Sequence, residues 1–214
     1  MSTAKRTAAP APTKRERTRR QLITAAVQVI GDKGVEAAAI QEIAAVAGVA
    51  NGTFYNYFPT KEAILEAAAV DIGIDYCERI SASYAHIPDG AERMAIGGRR
   101  YQLLATEQPA LARFLISVAA ASPVWDRQVT PYAKADLTLG IRQGRFHVAS
   151  TAAALDLIKG VNLAGIQRGL AGEAGRGHAS AIAATVLRGL GMAPEEADAV
   201  AKRPLPPLPP AKPD

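Results

Sequence analysis

Six uncharged side chains that each donate and accept hydrogen bonds, Gln41, Asn51, Thr53, Tyr55, Asn56 and Tyr57, fall within one short stretch of the chain. Groups of this kind pair with phosphate oxygens and with the edges of bases. They need helices to present them, and the intervening sequence supplies two. Ile40, Ile43, Ala44 and Ala47 recur at i, i+3, i+4 and i+7, the spacing of a short helix with one buried face. Gly48 ends that helix, since glycine tolerates the positive φ common just past a helix end, and a second helix starts within a few residues. Two short helices about a glycine turn make a helix-turn-helix, whose second helix enters a major groove. In that second helix Phe54 and Phe58 share one face, Thr53 and Tyr57 another, and Tyr55 projects on a third. The spacing predicts that the phenylalanines pack on Leu22, Ala25, Ala26 and Val29 of a first helix, leaving Tyr55 and Tyr57 outward. Asn56 either reads an adenine or faces water.

The charge is placed to help such a surface. The chain has 214 residues and a formal net charge of +5, yet residues 1–20 alone carry seven Lys/Arg against Glu16, a net of +6. The rest of the chain is therefore nearly neutral, at −1. A basic arm beside a helix-turn-helix reads as phosphate attraction from the segment Lys14 to Arg20, with Arg17 the chosen contact. A solubilising tail is the plainer alternative. Lys61, in the first turn of a fourth helix, adds a cation where free N–H groups already favour a phosphate.

Gly34, Ile40, Ile43-Ala44, Ala47-Gly48-Val49, Gly52-Thr53-Phe54-Tyr55, Tyr57-Phe58 and Lys61-Glu62 together resemble the DNA-binding signature of TetR-family (tetracycline-repressor-like) transcriptional regulators. The resemblance covers about Arg15 to Ile64; beyond it only length, helical character and helix order agree. It implies that Thr53, Tyr55 and Tyr57 carry most DNA contacts, with Gln41 on the supporting helix, Asn51 opening the recognition helix and Gly52 permitting close approach to the backbone. One position departs from the pattern. Ala39 stands where the family has Thr or Ser, and a lost cap costs about 1 kcal/mol. Glu42, three residues on, is placed to reach the exposed N–H at Ala39, half of a capping box.

With 49% hydrophobic and 21% charged residues the chain can bury a core. Helical patterns run near Arg15–Lys33, Ile40–Ala47, Asn51–Tyr57, Lys61–Tyr84 with Thr60 as cap, Ala91–Glu107, Pro109–Ala121, Val124–Gln143, Thr151–Leu170, Ala179–Leu190 and Pro194–Ala201. No strand pattern appears. The expected fold is all-α with nine or ten helices: a disordered arm over 1–13, a three-helix DNA-binding domain over 14–60, a helical effector-binding and dimerisation domain over 61–203, and a Pro-rich disordered tail over 204–214. That tail holds six prolines in eleven residues and reads as a polyproline-like end, with a protein partner as the alternative.

The resemblance gives the second domain two further surfaces. Its last two long helices, rich in small residues, would pair with a twofold mate through Leu155, Ile158, Ile166, Ile182 and Val186. A homodimer would address a palindromic or near-palindromic operator. Tyr76, Cys77, Met94, Tyr101, Phe114, Trp125, Tyr132 and Asn162 are candidates to line a pocket for an unidentified small-molecule effector, each also explicable as ordinary packing. The reading is a ligand-released repressor, with an activator or a ligand-independent DNA binder as alternatives.

Catalysis is not expected. His86, His147 and His178 are far apart, Cys77 has no histidine neighbour, no metal-ligand spacing appears, and no cofactor is implied. Gly172-Glu-Ala-Gly175-Arg-Gly177 lacks the preceding strand of a phosphate loop and reads as a connector. A single cysteine excludes an internal disulfide, and the longest apolar run is far short of a membrane span. A soluble, cytoplasmic protein without a membrane partner is expected.

Overall fold

Helix punctuation in the sequence translates directly into ten helices among the described residues. The computed structural model describes residues 13–121 and 123–211, the side chains of 119–126 excepted. The helices are α1 (Lys14–Ala37), α2 (Ile40–Val46), α3 (Asn51–Tyr55), α4 (Lys61–Ser83), α5 (Gly90–Glu107), α6 (Pro109–Ala121), α7 (Pro123–Arg142), α8 (Thr151–Leu170), α9 (His178–Gly189) and α10 (Pro194–Ala201). No strand occurs among the described residues. The expected disordered arm lies outside them except for Thr13, which caps α1. Its hydroxyl accepts from the Glu16 N–H while Glu16 accepts from the Thr13 N–H at 2.7 Å, a complete capping box. Those contacts hold the Glu16 carboxyl below the usual carboxylate range.

The head is built on α1. Helices α2, α4 and α6 pack around it. Leu22, Ala26, Ile30, Ile43, Phe54 and Phe58 meet Ile64 and Phe114 in one buried cluster, where Phe54 is 0% and Phe58 4% exposed. Burying side chains of this size stabilises by about 1.5–3 kcal/mol each. The cluster runs through the expected boundary at residue 60, so head and body share a core. Gly31 sits at the tightest point of that seam: a Cβ there would come within 2.5 Å of the Ala110 carbonyl oxygen of α6. Arg113 of α6 donates back to the Gly31 carbonyl at 2.6 Å and pairs with Asp32 at 3.2 Å.

A second cluster joins α5, α7, α8, α9 and α10 through Leu137, Phe146, Ile158, Leu187 and Val200. The Pro-rich end departs from expectation. From Pro204 to Ala211 the chain is non-helical but docked: Arg99 Nη1 donates to the Arg203 carbonyl at 2.5 Å, Arg100 Nη2 to that of Pro206, and Arg79 Nε to that of Pro209 at 2.8 Å. Leu205 and Leu208 pack against the first core cluster. Prolines have no N–H and leave backbone carbonyls open. Guanidinium groups on α4 and α5 take those carbonyls, which is why the segment is held rather than loose. Residues 212–214 lie outside the described residues.

Candidate DNA-binding surface and effector cavity

Helices α2 and α3 meet at a turn whose hydrogen bonds explain its glycine. The Gly48 N–H donates to the Ala45 carbonyl at 3.1 Å and the Val49 N–H to that of Ala44 at 3.0 Å, with Gly48 at φ 69°. This is a Schellman cap, and its left-handed residue favours glycine. The turn aims α3 outward. Tyr55 is 50% exposed and stands edge-on to buried Phe54, ring centroids 5.5 Å apart. Gln41, Asn51, Gly52 and Asn56 are exposed, and Thr53 is half-buried. Tyr57 is also half-buried, packed on the core and lying under the Arg15 guanidinium at 6.0 Å, so it presents its edge rather than its whole ring.

The basic face of α1 runs beside this surface, with Lys14, Arg15, Arg17 and Arg20 exposed. Arg19 is engaged elsewhere, pairing with Asp71 of α4 at 2.5 Å and stacking over Phe58. Lys61 requires a correction. Its ammonium donates to the carbonyls of Val35 at 2.8 Å, Glu36 at 3.2 Å and Ala38 at 3.2 Å. An ammonium has three donors, and all three are used on the open carbonyls of the last turn and C-cap of α1. Lys61 therefore fastens the start of α4 to the α1–α2 connection and has no donor left for a phosphate. Glu42 takes Lys33 at 2.5 Å as its chief partner, with the Ala39 backbone N–H a lesser one, and both lower its carboxyl, while the Ala39 side chain contributes no cap.

Below the head, α4, α5, α6, α7 and α8 enclose a cavity of about 430 Å³. Its wall is mostly apolar, through residues such as Ile80, Leu115, Val129 and Ile166. Of the proposed pocket residues, Cys77, Met94, Tyr101, Tyr132 and Asn162 line it. Tyr76 and Phe114 do not. Tyr76 turns its hydroxyl away to the Arg100 carbonyl at 2.8 Å and packs edge-on against Tyr101, while Phe114 is fully buried in the cluster shared with α1. The Trp125 side chain lies outside the described residues. Cys77 Sγ and the Tyr101 hydroxyl are 2.8 Å apart, and burial pushes the Cys77 thiol up to about 11, far from a reactive thiolate.

Two lining residues were not anticipated. The Tyr84 hydroxyl donates to Asp136 Oδ2 at 2.7 Å across the space between the end of α4 and α7. Asp136 is 7% exposed; burial first, against the Tyr84 bond and the Arg93 charge, raises its carboxyl to about 6. The two stand 52 residues apart, and neither carries a periodic signal.

The proposed dimer residues are also redistributed. Ile158 and Ile166 point into the cavity, and Val186 is buried in the second core cluster, so all three are consumed within one chain. Leu155 and Ile182 are half-buried. The outer faces are mixed: Ala153, Gly160 and Ala164 on α8 and Ala181 on α9 are exposed beside Asp156, Lys159, Arg168 and Arg188.

An exposed polar recognition helix on a scaffold of α1 and α2, carried by a helical body with an internal cavity, defines a DNA-binding transcription regulator. The model for bacterial regulatory proteins of the tetR family matches residues 22–68, and that for the tetracyclin repressor-like C-terminal domain matches 89–203. The chain belongs to the TetR family. It is 33% identical to RolR in a crystal structure with the ligand resorcinol, covering 92% of this chain and 98% of that one at a TM-score of 0.74. It shares the fold of FadR from Bacillus subtilis in complex with stearoyl-CoA, at a TM-score of 0.67 and 23% identity over 80% of this chain and 96% of that one. Among curated relatives, the fatty acid metabolism regulator protein of Bacillus subtilis (strain 168) is 35% identical over 86 residues, 40% of this chain and 44% of that protein. The uncharacterised regulator YvdT of the same organism is 42% identical over 52 residues, 24% and 27% of the two chains. The chain thus spans less than half the length of the curated relatives it matches.

Proposed function

We propose that this regulator is a homodimeric repressor released from its operator when a small molecule occupies the cavity. One observation carries the reading: α4 forms a wall of the cavity through Cys77 and Ile80, and the same helix begins at Lys61, bonded to the end of α1. A ligand that displaces α4 therefore displaces the head. It shifts the equilibrium only by its differential affinity for the two states. The RolR relative solved with resorcinol supports a small effector. The exposed Ala153, Gly160 and Ala164 of α8 and Ala181 of α9 support close pairing with a second copy, which would set two recognition helices for a palindromic site. No helix is long and apolar enough to cross a membrane among the described residues.

The test uses the full chain and an operator selected from random duplexes. Sedimentation at micromolar concentration gives a dimer on this reading, and fluorescence anisotropy of the protein–operator complex falls as resorcinol and related small molecules are titrated in. A complex that ignores every candidate while the cavity is demonstrably occupied points to a ligand-independent regulator, and tighter operator binding on ligand addition points to a ligand-dependent corepressor or activator.

A further inference from the structure

The cavity contains one deeply buried acid with an open valence. Asp136 lines it at 7% exposure; Oδ2 accepts from Tyr84, and Oδ1 has no hydrogen-bond partner among the described residues. Oδ1 opens onto the cavity, where a donor from outside the chain can reach it. The only cation among the described lining residues is Lys159, on the exposed rim, where it lies 3.7 Å from Asp156. The Arg93 guanidinium, whose charge acts on Asp136, is not among the lining residues; it bonds the Ile87 and Ala85 carbonyls and stacks over Tyr84.

Resting on the effector reading above, we infer that the effector is a small, uncharged, hydroxylated ring compound whose hydroxyl donates to Asp136 Oδ1, while Tyr84 holds the other carboxylate oxygen. Donor and acceptor counts select a hydroxyl. It brings one hydrogen to one open oxygen, whereas an ammonium brings three and must desolvate them all against a mostly apolar wall. A carboxylate or phosphate meets the Asp136 charge at short range in a medium of low dielectric. The volume, about 430 Å³, lies near the lower end of ligand pockets and suits one or two rings rather than a nucleotide-bearing thioester. The hydroxyl–carboxylate bond is charge-assisted and short, so it discriminates more strongly than the apolar wall does.

Isothermal titration of the full-length protein with two matched sets tests this directly: phenol, anisole, benzoate and benzylamine, and 2-naphthol, 2-methoxynaphthalene, 2-naphthoate and 2-naphthylmethylamine. In at least one set the hydroxyl compound binds at least about tenfold tighter than its methyl ether, and the acid and the amine bind more weakly still. Asp136→Asn removes that preference while leaving the methyl ether's affinity unchanged, and Tyr84→Phe, which keeps the ring in the core and removes only the hydroxyl, reduces the preference several-fold. Equal binding of hydroxyl compound and ether, tighter binding of the acid or the amine, or no binding by either set overturns the inference. So does a preference that survives Asp136→Asn. The wild-type series decides the matter even if a variant fails to fold. The effector reading is scored separately by anisotropy: 2-naphthol that binds through Asp136 without loosening the operator complex leaves this site standing and removes its regulatory role. Release by a molecule indifferent to Asp136 does the reverse.

Discussion

The head and the body of this regulator handle polar groups in opposite ways. In the head, hydrogen-bonding side chains of α2 and α3 point to solvent while Phe54 and Phe58 fill the interior completely. In the body, Asp136, Tyr84, Tyr101 and Asn162 point inward around empty volume. Both arrangements leave hydrogen-bonding capacity for a partner from outside, one convex and matched to a duplex, the other concave and matched to a small molecule. The contrast has a stability consequence. Tight packing makes the head sensitive to lost volume, whereas the body carries a buried charge that works against its own folding.

Loss of volume in the head gives the largest expected effect. Phe54→Ala destabilises by about 3–5 kcal/mol in chemical denaturation, because a fully buried ring leaves a cavity that α1 and α2 cannot close. An effect under about 1 kcal/mol would mean the head is no better packed than the body.

The outward tyrosine behaves differently. Tyr55→Ala lowers operator affinity by about 1–3 kcal/mol with helicity and unfolding midpoint unchanged. Unchanged affinity in a folded Tyr55→Ala protein removes that residue from the DNA interface.

The buried acid of the body is read through pH. The folded chain holds the Asp136 proton more tightly than the unfolded chain does, near 6 against 3.8. Folding therefore takes up a proton between those values, and this group's contribution is most favourable below about 3.8 and is lost as pH rises through 6. Asp136→Asn should accordingly be more stable than the parent at pH 8, by on the order of 1–3 kcal/mol, and no more stable at pH 4. A gap that widens on acidification would mean Asp136 is stabilised as a carboxylate and contradict its placement.

Lys61 gives the smallest effect and the sharpest distinction. Lys61→Met costs about 1–2 kcal/mol of stability through the three carbonyls it leaves open, yet leaves the salt dependence of operator binding as it was. A shallower salt slope would return Lys61 to the phosphate contacts.

These differences also explain what was readable in the primary structure. Helices were legible because each is bounded by local chemistry: Gly48 past α2, Thr60 before α4, Pro109 and Pro194 opening α6 and α10. The division of labour between Phe54 and Tyr55 was legible for the same reason, since a helix fixes which neighbours share a face. Lys61 was misread because its partners are carbonyls 23 to 26 residues away, at the end of a helix it only reaches after folding. The tail was misread because proline runs look the same whether free or held, and the arginines that hold it sit on α4 and α5 without any spacing that names their target. Ile158, Ile166 and Val186 looked like a dimer face because amphipathic spacing marks a buried side but not what buries it. Asp136 and Tyr84 meet only through the packing of α4 on α7.

On the proposed mechanism the concave site governs the convex one through α4. The direct measurement is the operator dissociation constant, by anisotropy at fixed salt and pH, with the cavity empty and with it saturated by a ligand whose occupancy is established by calorimetry. The account predicts operator binding weaker by at least about tenfold when the cavity is full, a coupling of about 1.4 kcal/mol or more. An operator affinity unchanged by full occupancy would contradict it.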